Sequence, residues 1–205
     1  MRTLAIKTTE LENKTVTLKG WVNSKRDHGK LTFIDLRHRS GVVQLVGYQK
    51  MSELGLEDAI EVEGIVKQRN SKSINPNLKT GEYEVDVQTY KVIGKSNPLP
   101  FDMGSEDLNL ELPTLLDHRA LTLRHPKIQA IFKVQEVVID SFREFMKQNE
   151  FFEFQAPAIV PACAEGGAEV FEVKYFDHTA YLTQSPQLYK QIVMSAFERV
   201  FSVNK

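Results

Sequence analysis

Cysteine is almost missing from this chain: Cys163 alone among 205 residues excludes an internal disulfide framework. Five scattered histidines with no neighbouring cysteine partners give no zinc-site spacing, so no protein-ligated metal is expected. There is no run of about 18 apolar residues to cross a bilayer, and the opening MRTLAIKTTELENK has no apolar signal core. No membrane association and a cytoplasmic address are the expectation. Glycine and proline are sparse, 11 and 8, while 41% of residues are apolar and 26% charged, which excludes fibrous and disordered classes. A chain of this length suits one large or two small domains with real cores.

Net charge is also nearly absent, at −1, yet the two halves differ in sign. The first hundred residues carry 16 Lys/Arg against 12 Asp/Glu, and the remainder 10 against 15. A basic half points weakly to a polyanionic partner, because solvated faces carry such biases routinely.

Five β-branched or alternating runs fill the first half: Thr15 to Val22, Leu31 to Leu36, Val42 to Tyr48, Ile60 to Arg69 and Glu82 to Ile93. Gln49 to Asp58, between the third and fourth, has the polar and leucine content of a short helix. Five strands with a helix after the third is the plan of an OB-fold, a Greek-key barrel often used for oligonucleotides. Residues 96–125 hold three prolines and few regular periods and read as a linker after a domain of residues 1–95. Pro126 then opens a second domain, residues 126–205. Ile131, Val134, Val138, Phe142 and Phe145 recur at helical steps toward Asn149. Short strands are expected at Phe151 to Phe154, Val170 to Phe176 and Ala180 to Thr183, with a helix from Pro186 to about Arg199.

In the second strand the pleat puts Leu31, Phe33 and Asp35 on one face and Thr32, Ile34 and Leu36 on the other. If Ile34 and Leu36 face the core, Phe33 is displayed among Lys25, Arg26, Lys30, Arg37 and Arg39, an arrangement that stacks unpaired bases while neutralising phosphates. Spacing alone leaves Phe33 equally readable as a core residue. Gln44 and Glu84 offer an amide and a carboxylate suited to base edges, or simply to solvent. His28 reads as a polar turn residue.

Gly20 to Gln44, GWVNSKRDHGKLTFIDLRHRSGVVQ, resembles the anticodon-binding OB domain of class II aminoacyl-tRNA synthetases of the aspartyl, asparaginyl and lysyl group. Leu123 to Val160 resembles motif 1 of that class, and Ala164 to Gln191 the amino-acid pocket of its aspartyl members. The resemblance implies an all-β OB barrel followed by an incomplete α+β class II catalytic domain, an antiparallel sheet with helices. Carried over position by position, it makes Phe33 the aromatic that stacks on an anticodon base, Gln44 the reader of the central uracil, Glu84 the contact to the first anticodon base, and Arg26 a backbone neighbour. Phe33 is thereby expected on the surface. Among bacterial members, histidine at the position of His28 accompanies enzymes that charge both aspartate and asparagine tRNAs, so His28 is expected to bear on tRNA discrimination.

In the second domain the resemblance gives Glu165 the amino group of L-aspartate, and Gln187-Leu188-Tyr189-Lys190 its remaining contacts, with Lys190 paired to the side-chain carboxylate. An ammonium is what a carboxylate removed from water requires. Asparaginyl members usually carry an apolar residue at the lysine position, so Lys190 favours aspartate. Motif 1 departs from the family pattern: Glu150 precedes Phe151 where glycine is usual, and Ala156 precedes Pro157 where threonine is usual. Pro157 is the expected centre of a homodimer interface. Phe197 to Val203 resembles the approach to motif 2, whose arginine, like motif 3 and the acidic carriers of Mg2+, is not in the sequence. The implied activity is an aspartate–tRNA ligase using ATP and Mg2+ with tRNA(Asp), and with tRNA(Asn) if non-discriminating. This chain would supply no catalytic residue and no ATP or metal ligand, and would be inactive alone. The alternatives are a non-catalytic tRNA-binding fragment or paralogue, and an asparaginyl enzyme.

Overall fold

The computed structural model describes residues 2–104, 107–162 and 170–203, the side chains of 48–50 excepted. Two compact units result, Met1–Glu111 and Leu112–Lys205. The second therefore begins inside the proline-bearing stretch expected as linker.

In the first unit, β1 (Thr15–His28), β2 (Leu31–His38), β3 (Gly41–Tyr48), β4 (Ala59–Gln68) and β5 (Tyr83–Gly94) close into a barrel in the order β1-β2-β3-β5-β4. Only the β3–β5 pairing is parallel. The alternation read from sequence sets the core: Leu18, Val22, Ile34, Leu36, Val43, Leu45, Ile60, Val62, Val66 and Val85 are all wholly buried. β4 bends where its pairing with β5 shifts register, and at Gly64 a Cβ would lie 2.5 Å from the Asp86 carbonyl oxygen, so only glycine fits.

Two expectations change here. β1 does not stop at Val22. The polar segment NSKRDH pairs on with β2 through a bulge near Ser24 and turns at Gly29, whose φ of +66° glycine adopts without strain. Cross-strand hydrogen bonding thus overrides the weak propensity of that polar run. Gln49 to Asp58 is not one helix: a 3-10 segment, Gln49–Glu53, is followed by turns, and Met51 and Leu54 are drawn into the barrel core.

The second unit contains α1 (Leu112–Asp117), α2 (Arg119–Thr122) and α3 (Pro126–Gln148), then β6 (Phe152–Glu153), β7 (Ile159–Val160), β8 (Glu172–Tyr175), β9 (His178–Leu182), α4 (Gln187–Phe197) and β10 (Val200–Phe201). Pro126 occupies the first turn of α3, and His125 Nδ1 caps it by accepting from the Lys127 N–H at 3.3 Å. β6 pairs with β10 in parallel, and β7-β9-β8 form an antiparallel sheet. No residue of α3 is buried, and its apolar stripe of Ile131, Val134, Val138 and Phe145 is 60–62% exposed.

Candidate nucleic-acid interface

On the outer wall of the barrel, Ser24, Asp35, Gln44 and Glu84 stand directly opposite one another across β1, β2, β3 and β5. Sheet register alone brings together residues 40 positions apart in sequence. The row is bonded end to end. Ser24 Oγ donates to Asp35 Oδ2 at 2.5 Å, Arg26 Nη2 lies 3.7 Å from Asp35 Oδ2, and the same nitrogen donates to Gln44 Oε1 at 3.3 Å. Gln44 Nε2 in turn donates to Glu84 Oε2 at 3.1 Å.

Phe33 shares this face one pleat away. Ile34 and Leu36 are the wholly buried members of β2, while Phe33 is only half-buried. The His28 ring meets it edge to face, centroids 5.6 Å apart at 85°. Arg26, His28, Phe33, Gln44, Arg69, Ser73 and Asn75 line one shallow cleft. Of the cations expected around Phe33, Arg37 is instead engaged internally. Its guanidinium meets Glu57 at 2.7 Å and Asn23 Oδ1 at 2.9 Å. Arg39 lines a separate hollow with Arg2 and Lys7.

Arg69, Ser73 and Asn75 carry no role in the sequence reading, yet they form the far wall. Arg69 is 6% exposed; its Nε donates to the Tyr83 carbonyl at 3.0 Å and lies 3.8 Å from Glu84 Oε2. Its Nη2 is buried without a hydrogen-bond partner among the described residues. An unmet N–H of a buried guanidinium is costly and suits an incoming acceptor oxygen. Burial pushes the Glu84 carboxyl above the usual glutamate range even though Arg69 and Gln44 pull it down, and burial likewise lowers Arg69. The signal that could have marked Arg69 is its place at the end of β4 facing the Glu84 strand, a pairing that sequence does not display.

The cleft thus joins an accessible aromatic edge, a polar row with both donors and acceptors, and two guanidinium groups. Such a surface can stack an unpaired base, read its edge and neutralise its phosphate.

The segment expected to hold an amino acid is less assembled. Gln187 and Lys190 lie on the first turn of α4, both exposed, with Leu188 45% exposed and Tyr189 half-buried. Glu165 lies outside the described residues. Pro157 is exposed between β6 and β7.

Residues 16–93 match the OB-fold nucleic acid binding domain model, and residues 111–205 match that of class II tRNA synthetases (D, K and N). The aspartate–tRNA(Asp/Asn) ligase of Archaeoglobus fulgidus is 40% identical over 95% of this chain and 46% of its own length. The aspartate–tRNA ligase of Staphylococcus epidermidis is 37% identical over 97% of the chain and 36% of its own. The asparaginyl-tRNA synthetase of Pyrococcus horikoshii, solved with asparaginyl-adenylate, superposes with a TM-score of 0.81 at 36% identity, covering 95% of this chain and 45% of that one. The chain therefore spans less than half the length of the relatives it matches.

Proposed function

The chain belongs to the class II (D, K and N) tRNA synthetases, joined to their OB-fold nucleic acid binding domain, and from that premise we propose that it is the anticodon-reading and aspartate-facing part of an aspartate–tRNA ligase. The observation that carries this reading is the bonded row of Arg26, Gln44 and Glu84 beside the half-buried Phe33 on a closed barrel. Phe33 stacks on an anticodon base, Gln44 reads the central uracil, Glu84 meets the first base, and the guanidinium groups of Arg26 and Arg69 face the backbone. Lys190 supports L-aspartate over asparagine, with Gln187, Leu188, Tyr189 and Glu165 as its companions. The exposed apolar stripe of α3 and the exposed Pro157 support a homodimer. A cytoplasmic setting goes with this reading; among the described residues no helix is long and apolar enough to cross a membrane.

Class II synthetases use ATP and Mg2+: the amino-acid carboxylate attacks the α-phosphorus, pyrophosphate leaves, and the acyl group passes from the adenylate to a ribose hydroxyl of tRNA as AMP leaves. Among the described residues no group of three or more His, Cys, Asp or Glu is placed to hold a metal ion. In this reading the residues of this chain bind and orient tRNA through the barrel and L-aspartate through the second unit.

His28, packed edge-on against Phe33, supports use of tRNA(Asn) as well as tRNA(Asp), as in the Archaeoglobus fulgidus relative's name. The test is binding of anticodon stem-loops to the 205-residue chain. Loops carrying GUC and GUU are expected to bind within about threefold of each other and at least about tenfold tighter than an unrelated anticodon. Equal affinity for every loop would overturn the anticodon reading. A clear preference for GUC over GUU would overturn the dual use alone.

A further inference from the structure

Gln44 has an amide whose two ends are chemically opposite, and its neighbours dictate which end points where. Arg26 has only donors, so the amide oxygen must face it; an ionised Glu84 has only acceptors, so the amide nitrogen must face that side. A half-turn of the amide would set N–H against guanidinium and oxygen against carboxylate, two repulsive contacts in place of two hydrogen bonds. Each amide end keeps one valence for a ligand: a lone pair on Oε1 and a hydrogen on Nε2.

That order matters for a pyrimidine held at a fixed stacking position. Uracil offers a donor at N3 and an acceptor at O4, whereas cytosine offers an acceptor at N3 and a donor at N4. The two bases require opposite orientations of the same amide. An unrestrained glutamine would flip and accept either. A clamped one accepts one.

The weak point of the clamp is Arg26, whose side chain is 56% exposed. Besides its hydrogen bond to Gln44, Arg26 meets the row at Asp35, 3.7 Å away. The Asp35 carboxylate is only 20% exposed, directly opposite Gln44 in register, and is itself fixed by the Ser24 hydroxyl at 2.5 Å. We propose that Asp35 is a positioning residue for reading the central anticodon base: it holds Arg26 so that Gln44 presents oxygen and nitrogen in the order that pairs with uracil and rejects cytosine. This rests on the anticodon reading above and adds the device that makes it selective. Because the Arg26 end of the pair is 56% exposed and the charges stand 3.7 Å apart, the pair adds little to stability, and the contribution of Asp35 is orientation rather than folding.

Stem-loops with GUC and GCC anticodons, titrated against the 205-residue chain by fluorescence anisotropy, test it. The native chain is expected to prefer uracil by about tenfold or more, the discrimination of one bidentate pair. Asp35→Ala should bring that ratio to within about threefold while leaving the preference at the first anticodon position and the thermal unfolding midpoint unchanged. Ser24→Ala, which frees Asp35 Oδ2 without touching the charge, should lower the ratio severalfold and carries the test if Asp35→Ala does not fold. A folded Asp35→Ala that keeps the full uracil preference would overturn the proposal, as would an equal loss of affinity for both loops. A native chain that ignores the central base altogether would instead remove the anticodon reading on which the proposal stands.

Discussion

Gln44 in the barrel is 7% exposed and bonded on both sides, whereas Gln187 and Lys190 of the second unit stand exposed on the first turn of a helix that buries none of its residues. Both sets belong to short motifs of the resemblance; the barrel set is bonded across strands, whereas the α4 set stands on one exposed helical turn. In the barrel, strands from residue 15 to residue 94 close on one another, so each functional side chain is supported by chain far away in sequence. Gln187 to Lys190 are neighbours within one helical turn, and proximity of that kind places groups on a surface without enclosing a ligand. A polar reader of flexible RNA works as an open wall; a pocket for a small charged amino acid needs walls on all sides.

The sharpest way to break this contrast is to remove apolar mass from each unit. Leu36→Ala, in the fully enclosed barrel core, is expected to cost about 3 kcal/mol in urea unfolding, a cavity effect. Val138→Ala, 60% exposed on α3 in the single chain, should shift stability by less than about 0.5 kcal/mol at concentrations where the chain is monomeric. Equal costs would mean that α3 is enclosed in solution.

A charge test comes next in size. The Asp58 side chain is 1% exposed, and burial by itself would raise its carboxyl. The amide hydrogens of Ser96 and Gly55, with Lys95 at 3.0 Å, outweigh that and hold it below the usual range. A carboxyl lowered on folding contributes stability above its unfolded value, and that contribution fades as pH falls through the folded one. Asp58→Asn should therefore cost about 1–3 kcal/mol at neutral pH, and the gap to the native chain should shrink on acidification below the ordinary aspartate value. Urea midpoints at neutral and acid pH measure it.

How far sequence reaches follows the same division. Alternation puts Ile34 and Leu36 on one face of β2 and Phe33 on the other, since a period of two needs no partner to be read, but it leaves Phe33 equally readable as core; the resemblance is what puts it on the surface. The family resemblance supplies the roles of Gln44 and Glu84, which spacing alone leaves as solvated residues, and narrows Arg26 from one of five cations around Phe33 to a neighbour of the anticodon backbone. Arg69 has no signal in sequence because its approach to Glu84, 3.8 Å away just beyond the end of β4, depends on the pairing of β4 with β5, a property of the closed barrel rather than of any short segment. The pleat put Asp35 on Phe33's face, but only the pairing of β2 with both β1 and β3 gives it Ser24 on one side and Gln44 on the other. The helical pattern of α3 was plain in its periodicity, while its solvent exposure was not, since an apolar stripe is the usual mark of a buried face.

The reading surface can then be probed without touching the fold. Phe33→Ala should weaken binding of the GUC stem-loop by about tenfold to a hundredfold, the range for one stacked base, while the unfolding midpoint stays near the native value. A loss of stability of the size seen for Leu36→Ala would instead make Phe33 a core residue, against its half-buried place on the outer pleat.

The smallest expected effect separates the two units most directly. Lys190→Ala removes an exposed ammonium in the second unit, and with it one positive charge from a chain that carries −1 overall. If stem-loop binding belongs to the barrel cleft, the affinity for GUC should change by no more than about twofold, the size expected of a screened charge that does not touch the RNA. The same substitution is expected to abolish aspartate selection in a complete ligase, because an aspartate carboxylate with no cation opposite it is left unpaired. A large loss of stem-loop affinity in Lys190→Ala would erase the comparison: RNA would then be read by both units together, and the exposed turn of α4 would belong to the tRNA surface rather than to an amino-acid site.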